Sequence, residues 1–480
     1  MKKPQQKQHR ITRREFVKGA IALASIPGST VLAQTTGTRL EWQTFRTTPA
    51  YQTFIAGIRA LRTNTDPNPR NRWNYWVNAH VNFCPHSTAY FLAWHRGALY
   101  NFEQQLRAVT GDSTLMVPYW DYYRYPQMPA EFADRSSPLF APNRVNTNVY
   151  NALGFNAFAD TLTTFERGTT DSFERQVEGR PHNPVHNLIG GYMAQRTSPA
   201  DPIFWLHHSN VDRLWVAWVA AGNGRQMPPS SSSYWSGVFT YGTGHTMARS
   251  QTMSNIGLGY RYQDETLPRT LPPRTQAGNI VRVQMRPGEG APGRPPVRQF
   301  PVVPPRALGA DRRSIGGVSD VTLDENSVSA TVPVQAQDRN TIDVILKNLQ
   351  TAPLGAGRRP QAPYRSIQVV LDNLRVTPQG RDGGYYYDIF LNLPSGGQPG
   401  AGAEQHFLGT VGPFEIDSAM HHGQTAQLSF PATLLLSRMT RSELKEVTLS
   451  FVRVNGPNYP RGPVITMGEA RLELSPDDVE

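Results

Sequence analysis

Residues 198–218 read "SPADPIFWLHHSNVDRLWVAW", a stretch that predicts an apolar helix carrying two adjacent histidines. Asp201 is a residue type that caps helices, and Pro202 suits the first helical position because its missing N–H needs no partner there. Apolar residues follow at once, as in a helix that packs into a core. His207 and His208 therefore lie on this helix, where buried imidazoles need partners for their ring nitrogens.

Two further stretches bring histidines onto predicted helices. In "PHNPVHNLIGG", residues 181–191, His182 and His186 are four residues apart, so a helix would place both rings on one face. Residues 87–109, "STAYFLAWHRGALYNFEQQLRAV", have apolar residues at helical spacing, with His95 inside the helix. The histidines that precede this helix are His86 and His80.

Together these histidines predict a metal site. Any one of them alone would more often be an ordinary core or surface residue, but several helices with paired or flanking histidines are hard to explain by packing. Neutral imidazole suits copper, zinc, iron and nickel. No carboxylate or thiolate cluster accompanies these histidines in the sequence, which favours copper.

The sequence resembles the tyrosinase family of type-3 copper proteins, which includes the catechol oxidases and the molluscan haemocyanins. His86, the segment "FLAWHR", Leu99 and Glu103 match the family's first copper signature, and "DPIFWLHHSNVD" matches its second. Two supporting segments, "VPYWDYY" and "LGYRY", also match. The resemblance covers roughly residues 39–263 and implies a four-helix bundle that holds two copper ions between its helices.

The resemblance also implies which histidines bind copper. The implied ligands are His80, His86 and His95 for one ion, and His182, His186 and His208 for the other. His207, beside the last ligand, is expected to support the site or to face the substrate. Asp212, one turn after His208, is expected to hold a ligand in its orientation, or else to be an ordinary surface or capping carboxylate.

Cys84 is the only cysteine of the 480 residues, which excludes an internal disulfide. On its own it would be a free thiol or a small core residue. In several relatives, a cysteine two positions before a first-copper ligand is bonded through sulfur to a ring carbon of that histidine. The resemblance therefore implies a thioether between Cys84 and His86.

The activity that the resemblance implies is the oxidation of phenols with dioxygen. o-Diphenols would be oxidised to o-quinones, and monophenols would first be hydroxylated at the ortho carbon, which requires loss of the phenolic proton. Glu178 and Asn183 match positions where relatives hold a water able to take that proton. The alternative is that both residues only cap the helix that carries the ligands. The pair favours a tyrosinase over a catechol oxidase that acts on o-diphenols only.

Two further residues are expected near the substrate entrance. Asn187 follows His186 at a position where some relatives have a basic residue that steers acidic substrates. The loop of residues 194–197 is expected to border the entrance, where Arg196 would supply a positive charge. From other functional classes, the alternatives are a haemocyanin-like oxygen-binding protein and a structural zinc protein, which would need closed four-ligand sites.

Residues 311–480 predict a domain of a different class. Short β-rich runs are separated by Gly, Pro and Asn at regular spacing, which predicts an antiparallel β-sandwich of jelly-roll type; one such run is "TIDVILKN", residues 341–348. The segment resembles the C-terminal domain of plant polyphenol oxidases, which covers the copper site and keeps the enzyme latent until cleavage. Copper delivery through His421 and His422 is the alternative role for this domain.

The predicted catalytic domain, residues 34–265, is joined to the sandwich by residues 266–310. This segment is rich in proline and contains seven arginines but only one acid. Such a composition predicts an extended linker that proteases can reach. Cleavage within it is expected to raise the activity.

The first 33 residues predict a signal peptide. Residues 12–33, "TRREFVKGAIALASIPGSTVLA", contain a basic region, a short apolar run and a small-residue ending. Arg13 and Arg14 resemble the twin-arginine export signal of bacteria, which implies a periplasmic or secreted protein that is exported already folded. The apolar run is too short to form a membrane span.

The net charge of +11 does not indicate nucleic-acid binding. Seven basic residues and one acid lie within the first 33 positions, so the signal peptide accounts for more than half of the excess. No nucleic-acid-binding motif occurs in the sequence. The expected partners are therefore dioxygen and small phenols, and the sequence does not indicate an oligomeric state.

Overall fold

The computed structural model describes residues 36–167, 172–273, 294–309, 311–351, 363–394, 404–420, 425–440 and 443–477. The predicted signal peptide, part of the predicted linker, His421 and His422 lie outside these ranges. The described residues form a helical domain followed by two antiparallel sheets. The predicted fold class is therefore confirmed.

A bundle of helices forms the first domain. Its helices are α1 (Trp42–Phe45), α2 (Ala50–Thr63), α3 (Trp73–Phe83), α4 (Phe91–Thr110), α5 (Phe173–Val177), α6 (Asn183–Ile189) and α7 (Ile203–Ala220). Helix α4 packs against α2 and α7. At the centre, the ring of Phe102 stacks on that of Trp205 with centroids 3.6 Å apart, and Trp76 meets both rings edge-on. This aromatic core fixes α3, α4 and α7 relative to one another.

Short strands fasten the ends of the helical domain. They are β1 (Gly37–Arg39), β2 (Val238–Gly242), β3 (His245–Ala248) and β4 (Tyr260–Tyr262). Strands β2 and β3 form an antiparallel hairpin, whereas β1 pairs in parallel with β4. The Arg39 guanidinium lies 3.7 Å from the ring centroid of Tyr260, and its Nε donates to Glu103 on α4 at 3.1 Å. Both ends of the domain are thus attached to the bundle.

The second domain is a sandwich of a four-stranded and a six-stranded sheet. Its strands are β5 (Val302–Val303), β6 (Arg306–Ala307), β7 (Arg313–Leu323), β8 (Val328–Pro333), β9 (Ser366–Val376), β10 (Tyr385–Leu391), β11 (Phe407–Val411), β12 (Ala426–Pro431), β13 (Glu446–Asn455) and β14 (Ile465–Ser475). The strand orders are β11-β10-β13-β8 and β12-β9-β14-β7-β5, with β6 also paired to β7. Strands β5 and β6 belong to the segment predicted as a linker, so the end of that segment is attached to the sandwich.

One predicted strand is wrong. Three helices accompany the sandwich, among the residues that the structure describes: α8 (Ala336–Thr351), α9 (Pro413–Ala419) and α10 (Thr433–Leu436). Helix α8 contains "TIDVILKN", which the sequence analysis assigned to a strand. Ile342 and Ile345 are buried while Val344 is 50% exposed. This three-residue spacing of buried positions is helical, because an alternating strand would have placed Ile342 and Val344 on one face.

The sandwich packs on the helical domain through α9 and β10, which both contact α6. Tyr386 and Val454 of the sandwich belong to the core of the helical domain. Among the described residues, no helix is both long enough and apolar enough to cross a lipid bilayer. Through these contacts of α9 and β10, the sandwich lies against the helix that carries His186.

Candidate metal centre

The histidines of α6 and α7 form one buried cluster. His182 immediately precedes α6, His186 lies within it, and His207 and His208 lie on α7; their ligand atoms are all within 4.8 Å of one another. His208 Nε2 is 3.3 Å from His182 Nε2 and 3.4 Å from His186 Nε2. Three imidazole nitrogens around a metal ion at about 2.0–2.1 Å lie roughly this far apart. The spacing therefore fits a shared metal ion.

Another cluster lies beside this one; because its residues come earlier in the chain, it is called the first cluster, and the cluster of α6 and α7 is called the second. The first cluster contains His80 at the end of α3, Cys84 and His86 in the following loop, and His95 on α4. The ring centroids of its histidines are 4.8–5.7 Å apart. The His95 ring stacks on that of His208, with centroids 4.0 Å apart and an interplanar angle of 14°. The two clusters therefore face each other across one stacked pair of rings.

Hydrogen bonds at Nδ1 orient the histidines so that Nε2 faces the cluster. His80 donates to the Arg196 carbonyl at 2.7 Å, His95 to the Phe91 carbonyl at 2.8 Å, and His186 to the Met193 carbonyl at 2.7 Å; His182 lies 2.8 Å from Asn183 Oδ1. A proton on Nδ1 leaves the lone pair of Nε2 for a metal ion. His80 Nε2 has no hydrogen-bond partner among the described residues.

Burial keeps these imidazoles neutral. Desolvation lowers the pKa of His80 to about 4 and that of His207 to about 3. It also lowers the pKa values of the other buried members well below their ordinary value: His95, His182, His186 and His208. Metal ligation requires the neutral ring. Neutral rings whose lone pairs converge repel one another unless a cation lies between them, so both clusters are suited to bind a metal.

The donor set favours copper. Neither cluster contains a carboxylate, within the part of the chain that the structure describes. The one sulfur ligand is Cys84, and burial raises the pKa of its thiol well above the ordinary value, with the nearby charge of Glu178 acting in the same direction. A protonated thiol is a poor metal ligand, which leaves imidazole nitrogens, a donor type well suited to copper.

Comparison with known proteins decides the family of the helical domain. Residues 51–151 and 131–221 match the family model described as the common central domain of tyrosinase. The helical domain belongs to the tyrosinase family. A tyrosinase domain takes two copper ions as its cofactor, and two neighbouring clusters of buried histidines match that requirement.

Relatives of this tyrosinase domain occur in bacteria and plants. A tyrosinase of a Hahella species is 33% identical over 31% of this chain and 40% of that protein. Polyphenol oxidase A1 of Vicia faba, a chloroplast protein, is 26% identical over 48% of each protein. The chain thus spans less than half the length of these two relatives.

Both domains have a counterpart in a solved structure. Latent apple tyrosinase aligns with 94% of this chain, and 99% of that chain is covered, with a TM-score of 0.50 and 18% sequence identity. At this identity the likeness concerns the fold. The tyrosinase domain and the sandwich therefore form an architecture that is already known.

The predicted catalytic pair lies beside the clusters. Glu178 Oε1 accepts the amide proton of Ser87 at 2.7 Å, and Oε2 is ion-paired with Arg167. Burial raises the pKa of Glu178, although the charge of Arg167 opposes that shift. Asn183 Oδ1 is the acceptor for His182. Both residues thus contact the segments that carry ligands, and both oxygens of Glu178 already have partners.

Asp212 does not orient a histidine, and that expectation is corrected. Its Oδ1 accepts from Arg96 Nε at 2.6 Å, and its Oδ2 accepts from the hydroxyls of Tyr260 and Tyr262, each at 2.6 Å. The carboxylate therefore joins α7 to α4 and to strand β4. Its contribution to the site is indirect, because Arg96 is the neighbour of His95 in α4.

His207, expected to support the site or to face the substrate, is a member of the second cluster. Its ring is fully buried and stacks on that of His182, with centroids 5.2 Å apart. Neither of its nitrogens has a hydrogen-bond partner among the described residues. By contrast, His208 Nε2 lies 3.3 Å from His182 Nε2 and 3.4 Å from His186 Nε2.

Cys84 lies among the histidines of the first cluster. Its Sγ is 3.6 Å from His86 Nε2 and 3.4 Å from His95 Nε2. The sulfur is thus close to two rings of the first cluster. His86 is the one that stands on a loop, two residues along the chain.

The sandwich places Phe414 directly over the site. This residue of α9 is 1% exposed, and its ring stacks on that of His186 with centroids 4.0 Å apart and an interplanar angle of 16°. The same ring meets His86 edge-on at 5.1 Å and His182 at 5.6 Å. Sequence reasoning foresaw a covering domain but not this side chain, because the segment "VGPFEI" carries no signal that it approaches histidines more than two hundred residues earlier.

Asn187 and Arg196, predicted to lie near the substrate entrance, both contact the sandwich. Asn187 is buried; its Nδ2 donates to Glu415 at 2.7 Å, and its Oδ1 accepts the amide proton of Phe414 at 2.9 Å. The amide of Arg196 donates to Asp417 at 2.7 Å. Elsewhere in the interface, Arg180 and Asp388 form a buried ion pair. Burying this pair between domains is favourable only while both partners stay together.

Proposed function

We propose that this protein is a copper-dependent phenol oxidase that hydroxylates monophenols, oxidises o-diphenols to o-quinones, and is kept latent by its sandwich domain. The observation that carries the proposal is the pair of facing histidine clusters in a tyrosinase domain, with the Phe414 ring stacked on one of the rings.

The histidines would divide into two sets of three. The proposed ligands are His80, His86 and His95 for one copper ion, and His182, His186 and His208 for the other. Bound copper would supply the dioxygen chemistry of the reaction. The protein would contribute fixed, neutral imidazoles in a site from which the bundle and the sandwich domain, called the lid from here on, exclude water.

Glu178 and Asn183 are the proposed positions for removal of the phenolic proton. A carboxylate with a raised pKa accepts a proton more readily than an ordinary one. Asn183 Oδ1 faces His182, so its amide group is the end that can donate to a water or to the substrate oxygen. For a monophenol, removal of the phenolic proton would precede hydroxylation of the ring. An o-diphenol already carries both hydroxyl groups and needs no hydroxylation.

A catechol oxidase is the second candidate, and one observation favours it. Both oxygens of Glu178 are engaged, by the Ser87 amide and by Arg167. If these partners persist in the working enzyme, the carboxylate is not free to hold a water. The enzyme would then oxidise o-diphenols only.

Latency follows from the position of Phe414. A phenol that reaches the clusters must occupy the space of this ring, because Phe414 contacts members of both clusters. Cleavage within residues 266–310 would allow the sandwich to leave. Export through the twin-arginine pathway, proposed from residues 12–18, would be compatible with copper insertion before export.

The test loads the full-length protein with copper and measures turnover of a monophenol and its catechol before and after limited trypsin cleavage. We expect little turnover by the intact chain and a marked rise after the linker is cut. Equal turnover by cut and intact protein would refute latency. Catechol turnover without monophenol turnover would replace the tyrosinase proposal by the catechol oxidase.

A variant addresses the role of Glu178. Glu178→Gln keeps an oxygen that can accept from the Ser87 amide but removes the proton acceptor. We expect monophenol turnover to fall far more than catechol turnover in the cut enzyme. A parallel fall for both substrates would show that Glu178 only supports the fold.

A further inference from the structure

Helix α9 carries a carboxylate, that of Asp417, in addition to the aromatic ring that covers the metal centre. Phe414 and Asp417 are three residues apart, so both side chains project from the same face of this helix. The Phe414 ring stacks on His186, while Asp417 Oδ2 accepts from the Arg196 amide at 2.7 Å and lies 3.4 Å from Arg196 Nε. The lid thus places an aromatic ring and a carboxylate side by side on the tyrosinase domain.

Arg196, the partner of the Asp417 carboxylate, is hydrogen-bonded to a histidine of the metal centre. The carbonyl of Arg196 accepts the Nδ1 proton of His80 at 2.7 Å. The main chain of Arg196 is therefore fixed relative to a histidine of the first cluster. Its side chain is 29% exposed and that of Asp417 35% exposed, so the ion pair lies at the rim of the site, where a solute can reach it.

The other carboxylate of α9 is held in a different way. Glu415 is buried, and its carboxylate accepts hydrogen bonds from two neutral side chains, those of Asn187 at 2.7 Å and Thr410 at 2.9 Å. Glu415 thus serves the contact between domains. Asp417 lies one turn from Phe414 and is paired with the Arg196 guanidinium at the rim of the site. Asp417 is therefore the carboxylate that the carboxylate of a solute can replace.

We propose that the lid imitates the substrate, and that the enzyme without its lid prefers phenols and catechols that carry a carboxylate on a short side chain. The substrate ring would take the place of the Phe414 ring, and its carboxylate would take the place of Asp417 on the amide and guanidinium of Arg196. This inference rests on the proposed phenol oxidase function. It makes Arg196 the residue that determines the preference for negatively charged substrates.

The test uses the full-length, copper-loaded variant Phe414→Ala/Asp417→Asn, which lacks the ring and the carboxylate of the lid. The substrates are 3-(3,4-dihydroxyphenyl)propanoate and its primary amide, which differ in charge but hardly in size. We expect kcat/KM for the acid to exceed that for the amide about fivefold, mainly through KM. Equal values for acid and amide would overturn the proposal.

Arg196→Gln in the same background is expected to abolish the preference, because KM for the acid rises to that for the amide. Arg46→Gln is the matched control, because Arg46 is also a partly exposed arginine paired with one carboxylate; it should leave the preference unchanged. If Arg196→Gln lowers acid and amide equally, Arg196 only supports His80 and the proposal is wrong. A preference that survives Arg196→Gln would also overturn it.

A measurement that needs no change at Arg196 covers the case in which that variant does not fold. In the Phe414→Ala/Asp417→Asn background, 3-phenylpropanoate should inhibit catechol oxidation more strongly than 3-phenylpropanamide, and added salt should reduce the difference. Equal inhibition would overturn the proposal. A failure of the phenol oxidase function itself would look different, since neither catechol would be oxidised at all.

Discussion

The two histidine clusters are built from different kinds of structure. In the second cluster the proposed ligands lie on α7 or at and within α6, whereas in the first cluster His86 stands on the loop between α3 and α4. The first cluster also contains the sulfur of Cys84, and the second contains a fourth imidazole, His207. The difference suggests that the proposed ligands of the second cluster are positioned by helices, whereas the loop ligand His86 is the one that a bond to Cys84 would restrain.

The largest expected effect tests which histidine of the second cluster holds metal. His208→Ala removes the nitrogen that lies 3.3 and 3.4 Å from its neighbours. We expect the variant to bind one copper ion per chain instead of two, and catechol oxidation to fall below detection. Copper analysis of the purified protein and an oxygen-consumption assay measure both.

His207→Ala is the matched control, because the two residues are adjacent and both are buried. It should keep two copper ions and measurable activity. If His207→Ala loses the metal and His208→Ala keeps it, the assignment within this cluster is reversed.

The next effect concerns the ring that covers both clusters. Phe414→Ala should raise the activity of the intact, uncut chain on the order of 100-fold, since truncating a buried phenylalanine commonly costs about 3–5 kcal/mol of packing. Initial rates of catechol oxidation before and after trypsin treatment measure the change. Phe414→Leu retains an apolar side chain and should stay latent; a variant as active as Phe414→Ala would exclude Phe414 as the plug.

The restraint on the first cluster is tested through Cys84. A thioether to His86 makes the intact protein lighter by two hydrogens and leaves no thiol to alkylate after unfolding. Cys84→Ser should then weaken copper binding at the first cluster about tenfold, as changes to groups that hold a ligand in place commonly do. Peptide mass mapping identifies the bonded ring.

Retention of the second copper ion during dialysis against a chelator provides the control for this variant. Equal loss of both ions would contradict the difference between the clusters. A bond to His95 in place of His86 would also contradict it, since the restraint would then act on a helical ligand.

The smallest effect is a pH dependence of the lid over the second cluster. Burial raises the pKa of Glu415 when the lid is docked, and the charge of Glu178 adds to the shift. The docked state therefore favours the protonated carboxyl, so that docking is strongest at low pH and weakens as the pH rises through the raised pKa. The uncut chain should become less latent at higher pH.

Glu415→Gln has no proton to lose and should flatten that dependence. The activity of the intact chain, divided at each pH by that of the Phe414→Ala variant, isolates docking from the chemistry. An unchanged profile in Glu415→Gln would assign the pH dependence to another group.

Much of the centre was predictable because its signals are local. His182 and His186 share a face through their spacing, and Asp201 identifies the start of the helix that carries His208; its Oδ1 accepts the amide proton of Ile203 at 2.9 Å. The sandwich was predictable for the same reason, since apolar runs and turn residues recur along the chain. Helix α8 was predicted as a strand because the apolar residues of this short run fit both the helical and the strand period.

The contacts that sequence reasoning missed are those made over long separations. Phe414 reaches His186 across more than two hundred residues, and Asp212 binds Arg96 rather than its own neighbours in α7. The spacing of residues along the chain does not predict which side chain of one domain contacts a side chain of another domain. Such contacts depend on how helices and strands pack against one another after they have formed, and a single sequence does not predict that packing.

The parallel pairing of β1 with β4 closes the helical domain upon itself. Its two ends are held side by side, and Arg39 anchors them to α4. A break in the chain after residue 265 therefore lies outside this closure and does not open the bundle. A single cut would thus convert the proposed latent precursor into its active form without unfolding the helical domain.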